Sequence, residues 1–282
     1  MNPTTANIAR IDDWLDRLAA ETDAARHSDA FTAYLTAMSR FWRYSQYNSL
    51  LIFSQRPTAT HVNSRKRWEA LGYTVKTEAW RNSIQILCPH FKKVRDEVTG
   101  DEKEVLTHFN TGYIYDRADM DAGPTAQPLD APWATLVGDH DALYALLRAT
   151  CRLIHISVDE VTTLPPQVEG ASNGRGGIVL NDRASVGNKA QTLLHELAHE
   201  LVHPSAVRGR FTTQEVECQA EAIAYCVSQA LGMETPNSPT YLALYHIRRE
   251  ELKKNAQAIA HGVQRILREV ERASAQAAEV AA

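Results

Sequence analysis

The chain has 282 residues, enough for two domains that each bury a core, and its 44% apolar and 23% charged content excludes a disordered or fibrous protein. The formal net charge of −4 hides an uneven distribution: residues 40–95 carry eleven Lys and Arg against two Glu, a basic segment inside an acidic chain. No stretch approaches the roughly 18 unbroken apolar residues of a membrane span, and the N-terminus lacks a basic start followed by an apolar core, so the chain reads as cytoplasmic with no membrane partner.

Ile8, Ile11, Leu15 and Leu18, then Phe31, Leu35 and Met38, space the apolar faces of helices over residues 8–38. An aromatic run from Arg40 to Phe53 continues helically to a stop at Arg56-Pro57, and a short helix is expected from Ser64 to Leu71, ended by Gly72. Tyr73–Lys76 and Ser83–Cys88 alternate as half-buried strands, with Trp80-Arg-Asn as the turn between them. The charged patch from Lys92 to Lys103 reads as an exposed loop before a strand at Thr111–Asp116.

Cations interleaved with aromatic rings suit a single-stranded nucleic acid, because cations follow phosphates while rings stack on unpaired bases. The candidate contacts are Arg40, Arg43, Tyr44, Tyr47, Arg65, Lys66, Arg67, Trp68, Trp80 and Arg81. The competing reading, that many rings in this segment are simply core, weighs most on Trp42, Phe53 and Tyr73. A Pro-, Ala- and Gly-rich linker at 121–132 marks the boundary between a first domain at 1–120 and a second at 133–272.

In the second half, Trp133–Cys151 reads as a helix, Leu153–Val158 as a strand, and Ala171–Asn181 as a glycine-led hairpin. The second strand of that hairpin, Gly177, Ile178, Val179 and Leu180, is the candidate edge for pairing with a substrate backbone. The stretch from Gln191 to His203 contains His195-Glu196-Leu197-Ala198-His199 within an apolar helical stripe of Leu193, Leu194, Leu197, Ala198 and Leu201. Two histidines one turn apart, about 6 Å along the axis, can converge on one tetrahedral Zn2+. Glu196 is left beside the water position as a general base.

Thr212–Gly232 forms another helix, with a threonine cap signal and a glycine stop, and carries Glu217 and Glu221 four residues apart on one face. One of the two is expected to be the third ligand and the other to orient a metal-bound histidine. The four cysteines, Cys88, Cys151, Cys218 and Cys226, form no C-x-x-C pair and read as reduced core thiols, Cys218 being a remote ligand candidate. A last helix spaces Leu252, Ala256, Ile259, Val263, Ile266 and Val270 for packing on its own domain, and the Ala-rich tail 273–282 is expected to be disordered.

Several segments resemble the ArdC-type antirestriction proteins, which join an N-terminal single-stranded DNA-binding domain to a C-terminal metallopeptidase-like domain of the ImmA/IrrE group. The N-terminal matches are Tyr44-Ser-Gln-Tyr-Asn-Ser-Leu-Leu-Ile, Arg56-Pro-Thr-Ala-Thr-His-Val, Trp68-Glu-Ala-Leu-Gly-Tyr-Thr-Val-Lys and Ile84-Gln-Ile-Leu-Cys-Pro. The C-terminal ones are Gly177-Ile-Val-Leu, His195-Glu-Leu-Ala-His and Glu217-Cys-Gln-Ala-Glu-Ala-Ile-Ala-Tyr. The family pattern Glu-x-x-Ala-(Asn, Asp or Glu)-x-x-Ala implies Glu217 as ligand and Glu221 as its supporting partner. This chain has Thr77-Glu-Ala-Trp-Arg-Asn-Ser where relatives carry a glycine-rich turn.

The resemblance implies an α+β chain with a helix-plus-small-sheet DNA module and a zincin-like domain. It further implies a zinc peptidase acting on a regulatory protein such as a transcriptional repressor, in a mobile-element, defence or DNA-damage setting. The alternative is a non-proteolytic antirestriction protein that binds and protects single-stranded DNA.

Overall fold

A computed structural model describes residues 2–20, 24–95, 101–233 and 249–281, and it is an α+β chain. It divides into two compact units, Met1–Asp16 with Tyr44–Leu129 and Arg17–Arg43 with Asp130–Ala282. The second crossing falls within the expected linker. The first does not: helix α1 (Pro3–Ala20) straddles the division, and α2 (Ala24–Arg40) belongs to the second unit instead of the first.

The first unit holds α3 (Gln46–Gln55), β1 (Val62–Ser64), α4 (Arg65–Ala70), β2 (Tyr73–Val75), β3 (Ile84–Arg95), β4 (Glu102–Asp116) and β5 (Met120–Ala122). The expected hairpin between Tyr73–Lys76 and Ser83–Cys88 is absent. β2 pairs with β5, whereas β3 runs antiparallel to β4 from Ile84 opposite Ile114 to Arg95 opposite Glu102, with β1 on the far side of β4. The described ends of the charged patch, residues 92–95 and 102–103, are therefore strand, and residues 96–100, Thr99-Gly100 among them, lie outside the described residues.

The other edge of β3 is covered by side chains of α3. Asn48 accepts from Leu87 N at 2.8 Å and donates to Leu87 O at 2.9 Å. Gln55 does the same at Gln85, at 3.0 and 2.8 Å. Two amides seven residues apart on one helix face thus imitate a neighbouring strand and satisfy a backbone edge that would otherwise be open.

Trp68, Tyr73, Tyr115 and Met120 form this unit's aromatic core, and the Trp68 indole N–H donates to Tyr115 O at 2.9 Å. Trp68 is fully buried and is removed from the nucleic-acid candidates, because a ring inside the core has no face left for a base.

The second unit holds α5 (His140–Leu153), β6 (Ser157–Val161), β7 (Gly170–Ser172), β8 (Gly177–Asn181), α6 (Val186–Val202), α7 (Ser205–Arg208), α8 (Thr213–Ala230) and α9 (Arg249–Ala281). Its sheet has the order β6-β8-β7, with β8 parallel to β6 and antiparallel to β7. Gly177–Leu180 is thus the central strand with both edges paired, and it cannot take a substrate backbone as expected; β6 and β7 are the edge strands, and β7 is the one packed on α6.

α2 packs on α8, which buries Phe31, Tyr34, Leu35 and Met38 and explains its membership of this unit. The seam of α9 from Leu252 to Val270 is buried against α5, α6 and α8. The tail expected to be disordered is instead the end of α9, helical to Ala281 with Ala273 buried, in keeping with alanine's low cost in a helix. Among the described residues no helix is long and apolar enough to cross a membrane.

Candidate metal centre

The site sits where α6 crosses α8. Ser185 caps α6 by accepting from Asn188 N, and the stripe Leu193, Leu194, Leu197, Ala198 and Leu201 is buried, so residues 195, 196 and 199 are held at the border between core and solvent. Thr212 and Glu215 form a reciprocal capping box on α8, which sets the register that brings Glu217 and Glu221 to the histidines.

The facing atoms of His195, His199 and Glu217 close a triangle. The two Nε2 atoms are 3.0 Å apart, and Glu217 Oε2 is 3.4 Å from one and 3.5 Å from the other. Ligand bonds of 2.0–2.1 Å at tetrahedral angles place donors about 3.3 Å apart, so these three atoms have the dimensions of one face of a tetrahedron. Two nitrogens and a carboxylate oxygen suit a divalent cation, and the fourth corner is left for water or substrate.

Glu221 Oε2 lies 3.3 Å from Nδ1 of His195, the ring nitrogen that points away from the triangle. A proton held there leaves the Nε2 lone pair facing inward, the tautomer a ligand needs. Burial pulls the His195 ring down, but the Glu221 hydrogen bond and the charges of Glu196, Glu221 and Glu217 outweigh it and leave the ring above its ordinary value. Burial, with the charges of His195, Arg208 and His203, takes His199 down to about 3, so it stays neutral.

Glu196 lies on the same helix, outside the donor triangle but near enough for His195, Glu217 and Arg208 to act on its charge. Burial pushes its carboxyl up and Glu217 adds to this, while His195, Arg208 and the backbone N–H of Ser172 pull it down. Cys218 stands outside the donor triangle, and burial raises its thiol to about 12.

Four features of this site escaped the sequence reading. His203 repeats the four-residue spacing of His195 and His199, a signal that was present. Its Nε2 donates to Gln219 Oε1 at 2.9 Å, and Gln219 passes the chain on to Asn255 at 2.7 Å. Arg208, whose charge acts on Glu196, His199 and His203, follows no spacing rule. The outward N–H of Ser172 and the buried carboxylate of Glu200 also depend on contacts that no local pattern encodes.

Glu200 fixes the loop between β7 and β8, accepting from Gly174 N at 2.6 Å and Gly176 N at 2.7 Å. Gly174 has φ +67°, and a Cβ there would meet Ser205 N at 2.8 Å, so neither geometry nor space admits a side chain. Glu200→Gln turns an amide donor toward one of these N–H groups. The expected cost is about 2–4 kcal/mol, read as a lower denaturation midpoint at unchanged m-value.

The family match of the second unit points to a metallopeptidase-like domain. Residues 153–228 match the Peptidase_M78 family, the IrrE N-terminal-like domain, and the match contains all the residues of the triangle together with Glu196 and Glu221. An uncharacterized Bacillus anthracis protein, pXO2-81, is 26% identical over 275 residues; the alignment covers 84% of this chain and 45% of that protein, so the chain spans about half its length. The solved ArdC antirestriction protein of plasmid R388 is similar at 17% identity and TM-score 0.49 in its metal-free form, over 83% of this chain and 86% of that one. In its Mn(II)-bound form the values are 16% and 0.46, over 86% and 98%.

Proposed function

We propose that this protein is a zinc-dependent metallopeptidase joined to a single-stranded DNA-binding unit. The observation that carries the peptidase reading is an intact base, Glu196, beside three donors spaced for one cation. A structural metal site has no use for such a base. His195, His199 and Glu217 would hold the zinc, which when bound supplies a Lewis acid that acidifies a water and polarises the scissile carbonyl.

Glu196 takes the water's proton on its carboxylate and returns it to the leaving amine. Glu221 holds the His195 ring in place through Nδ1. Substrate backbone is expected along β7. Residues 169 and 173, which flank it, bond to β8: Asn181 N donates to Glu169 O and Asn173 N to Gly177 O. By strand alternation, Gly170 and Ser172 then turn their N–H and C=O groups outward. By the resemblance to ArdC-type and ImmA/IrrE proteins, the substrate is a regulatory protein such as a repressor.

The DNA reading rests on the first unit's exposed cations. Arg65, Lys66 and Arg67 project from α4, the Arg65 guanidinium lies 4.8 Å over the Trp80 ring, Trp80 is 45% exposed, and Arg81 follows it. Tyr44 and Tyr47 are only partly exposed, while Arg40 and Arg43 belong to the second unit, where Arg43 pairs with Glu271. Replacing Arg65, Lys66 and Arg67 by Ala is expected to weaken oligo-dT binding and to reduce the slope of log K against log salt by about 2, at about 0.7 per phosphate. An unchanged slope removes α4 from the DNA surface. Metal analysis of the purified protein decides between zinc and manganese.

A further inference from the structure

The first unit contains a polar cavity of about 460 Å³ lined by Arg10, Ser54, Gln55, Arg56, Arg81, Asn82, Ser83 and Ile84. Three arginines line it and no carboxylate does. Arg56 is paired with Asp119, 5% exposed, whose two oxygens are already taken: Arg56 grips both, and Asn82 Nδ2 donates to one of them at 3.2 Å. Asp119 therefore fixes Arg56 and Asn82 and offsets one charge of the three.

Arg10 and Arg81 are exposed, and Arg10 is steadied by Asn7 Oδ1 at 3.2 Å. Gln55, in the cavity wall, is locked by its two bonds to Gln85. The result is a fixed polar floor with two cations at the rim, and the excess of positive charge calls for an anion. Guanidinium forks match the oxygens of a phosphate, and three of them suit a phosphate better than a single carboxylate.

Trp80, the residue before Arg81, leaves about half of its ring in solvent, and it could take the base of a nucleotide whose phosphate lies among the arginines. We propose that this cavity binds a phosphate group of single-stranded DNA, and that Arg10, Arg56 and Arg81 hold it. Neither Arg10 nor Arg56 stood out as a nucleic-acid contact in the sequence. The inference rests on the DNA reading above and locates on the protein the group that the strand presents.

The test titrates full-length protein, parent and Arg10→Ala/Arg81→Ala, with thymidine, thymidine 5′-monophosphate and twelve-residue oligo-dT bearing a 5′-phosphate or a 5′-hydroxyl. Both replaced side chains are exposed, and matching thermal melts exclude misfolding. The expected result is that the monophosphate binds where thymidine does not, and that the double variant loses about tenfold in affinity for it and for oligo-dT. A loss confined to the 5′-phosphorylated oligonucleotide assigns the cavity to a strand end, and an equal loss for both assigns it to an internal phosphodiester.

Oligo-dT binding the parent and the double variant equally overturns the proposal and spares the DNA reading. Monophosphate binding that depends on the two arginines, with no oligo-dT binding, spares the cavity and overturns the DNA reading. Thymidine binding as tightly as its monophosphate, or poly-glutamate binding in its place, overturns the phosphate assignment.

Discussion

Glu196→Gln is expected to keep its metal and to lose peptide hydrolysis by about 10²–10⁴-fold, the range a positioned general base contributes. The change keeps the shape of the side chain but replaces the basic carboxylate with an amide that does not take a proton. The three donor atoms belong to His195, His199 and Glu217 and are untouched, so metal content by mass spectrometry should equal that of the parent. Cleavage of co-expressed repressors, measured with and without single-stranded DNA, is the activity readout. If no cleavage is found for the parent, and protection of DNA from restriction persists in the variant, the peptidase reading fails and the non-proteolytic antirestriction reading takes its place.

Glu217→Ala should lower metal affinity by on the order of a hundredfold or more, since one of three protein donors is lost from a site whose total binding energy is about 10–16 kcal/mol in structural zinc domains. Glu221→Ala acts only through the orientation of His195, and a loss of about 10–100-fold is the upper range for such a partner. The order of the two effects, from chelator competition with each purified variant, is the diagnostic quantity. Glu217 touches both Nε2 atoms, whereas Glu221 touches only the outer nitrogen of His195. If Glu221→Ala costs more than Glu217→Ala, the assignment of ligand and supporting partner is reversed.

The donor pair and the base were legible because they are local. Four residues on a helix fix the distance between His195 and His199 whatever surrounds them, and the apolar stripe orients that helix toward a core. Glu217 and Glu221 were legible as a pair for the same reason. Choosing between them took the family pattern; in the structure Glu217 lies near both Nε2 atoms and Glu221 near the outer nitrogen of His195, distances between two helices that no spacing in one of them contains.

Trp68 shows the opposite case. Its basic neighbours Arg65, Lys66 and Arg67 face solvent while its ring fills the core, because a helix turns neighbouring residues to different faces and only the packing of β2, β4 and β5 decides which face is inside. The misassigned hairpin has the same origin: alternation identifies a strand but does not name its partner, so β3 could be recognised and its pairing with β4 could not.

What the sequence by itself determined is the α+β composition, the helix carrying His195, Glu196 and His199, the acidic helix that faces it, and the basic character of residues 40–95. Tertiary structure alone decided that α2 joins the second unit, that β8 is the central strand and β6 and β7 the edges, that Glu200 and Ser172 support the site, and that Arg10, Arg56 and Arg81 line one cavity. The physical reason is range. Helix periodicity and capping act over about four residues and leave a trace in the chain. Strand pairing, burial and the convergence of like charges join residues dozens of positions apart, and they are settled only by which surfaces exclude water together.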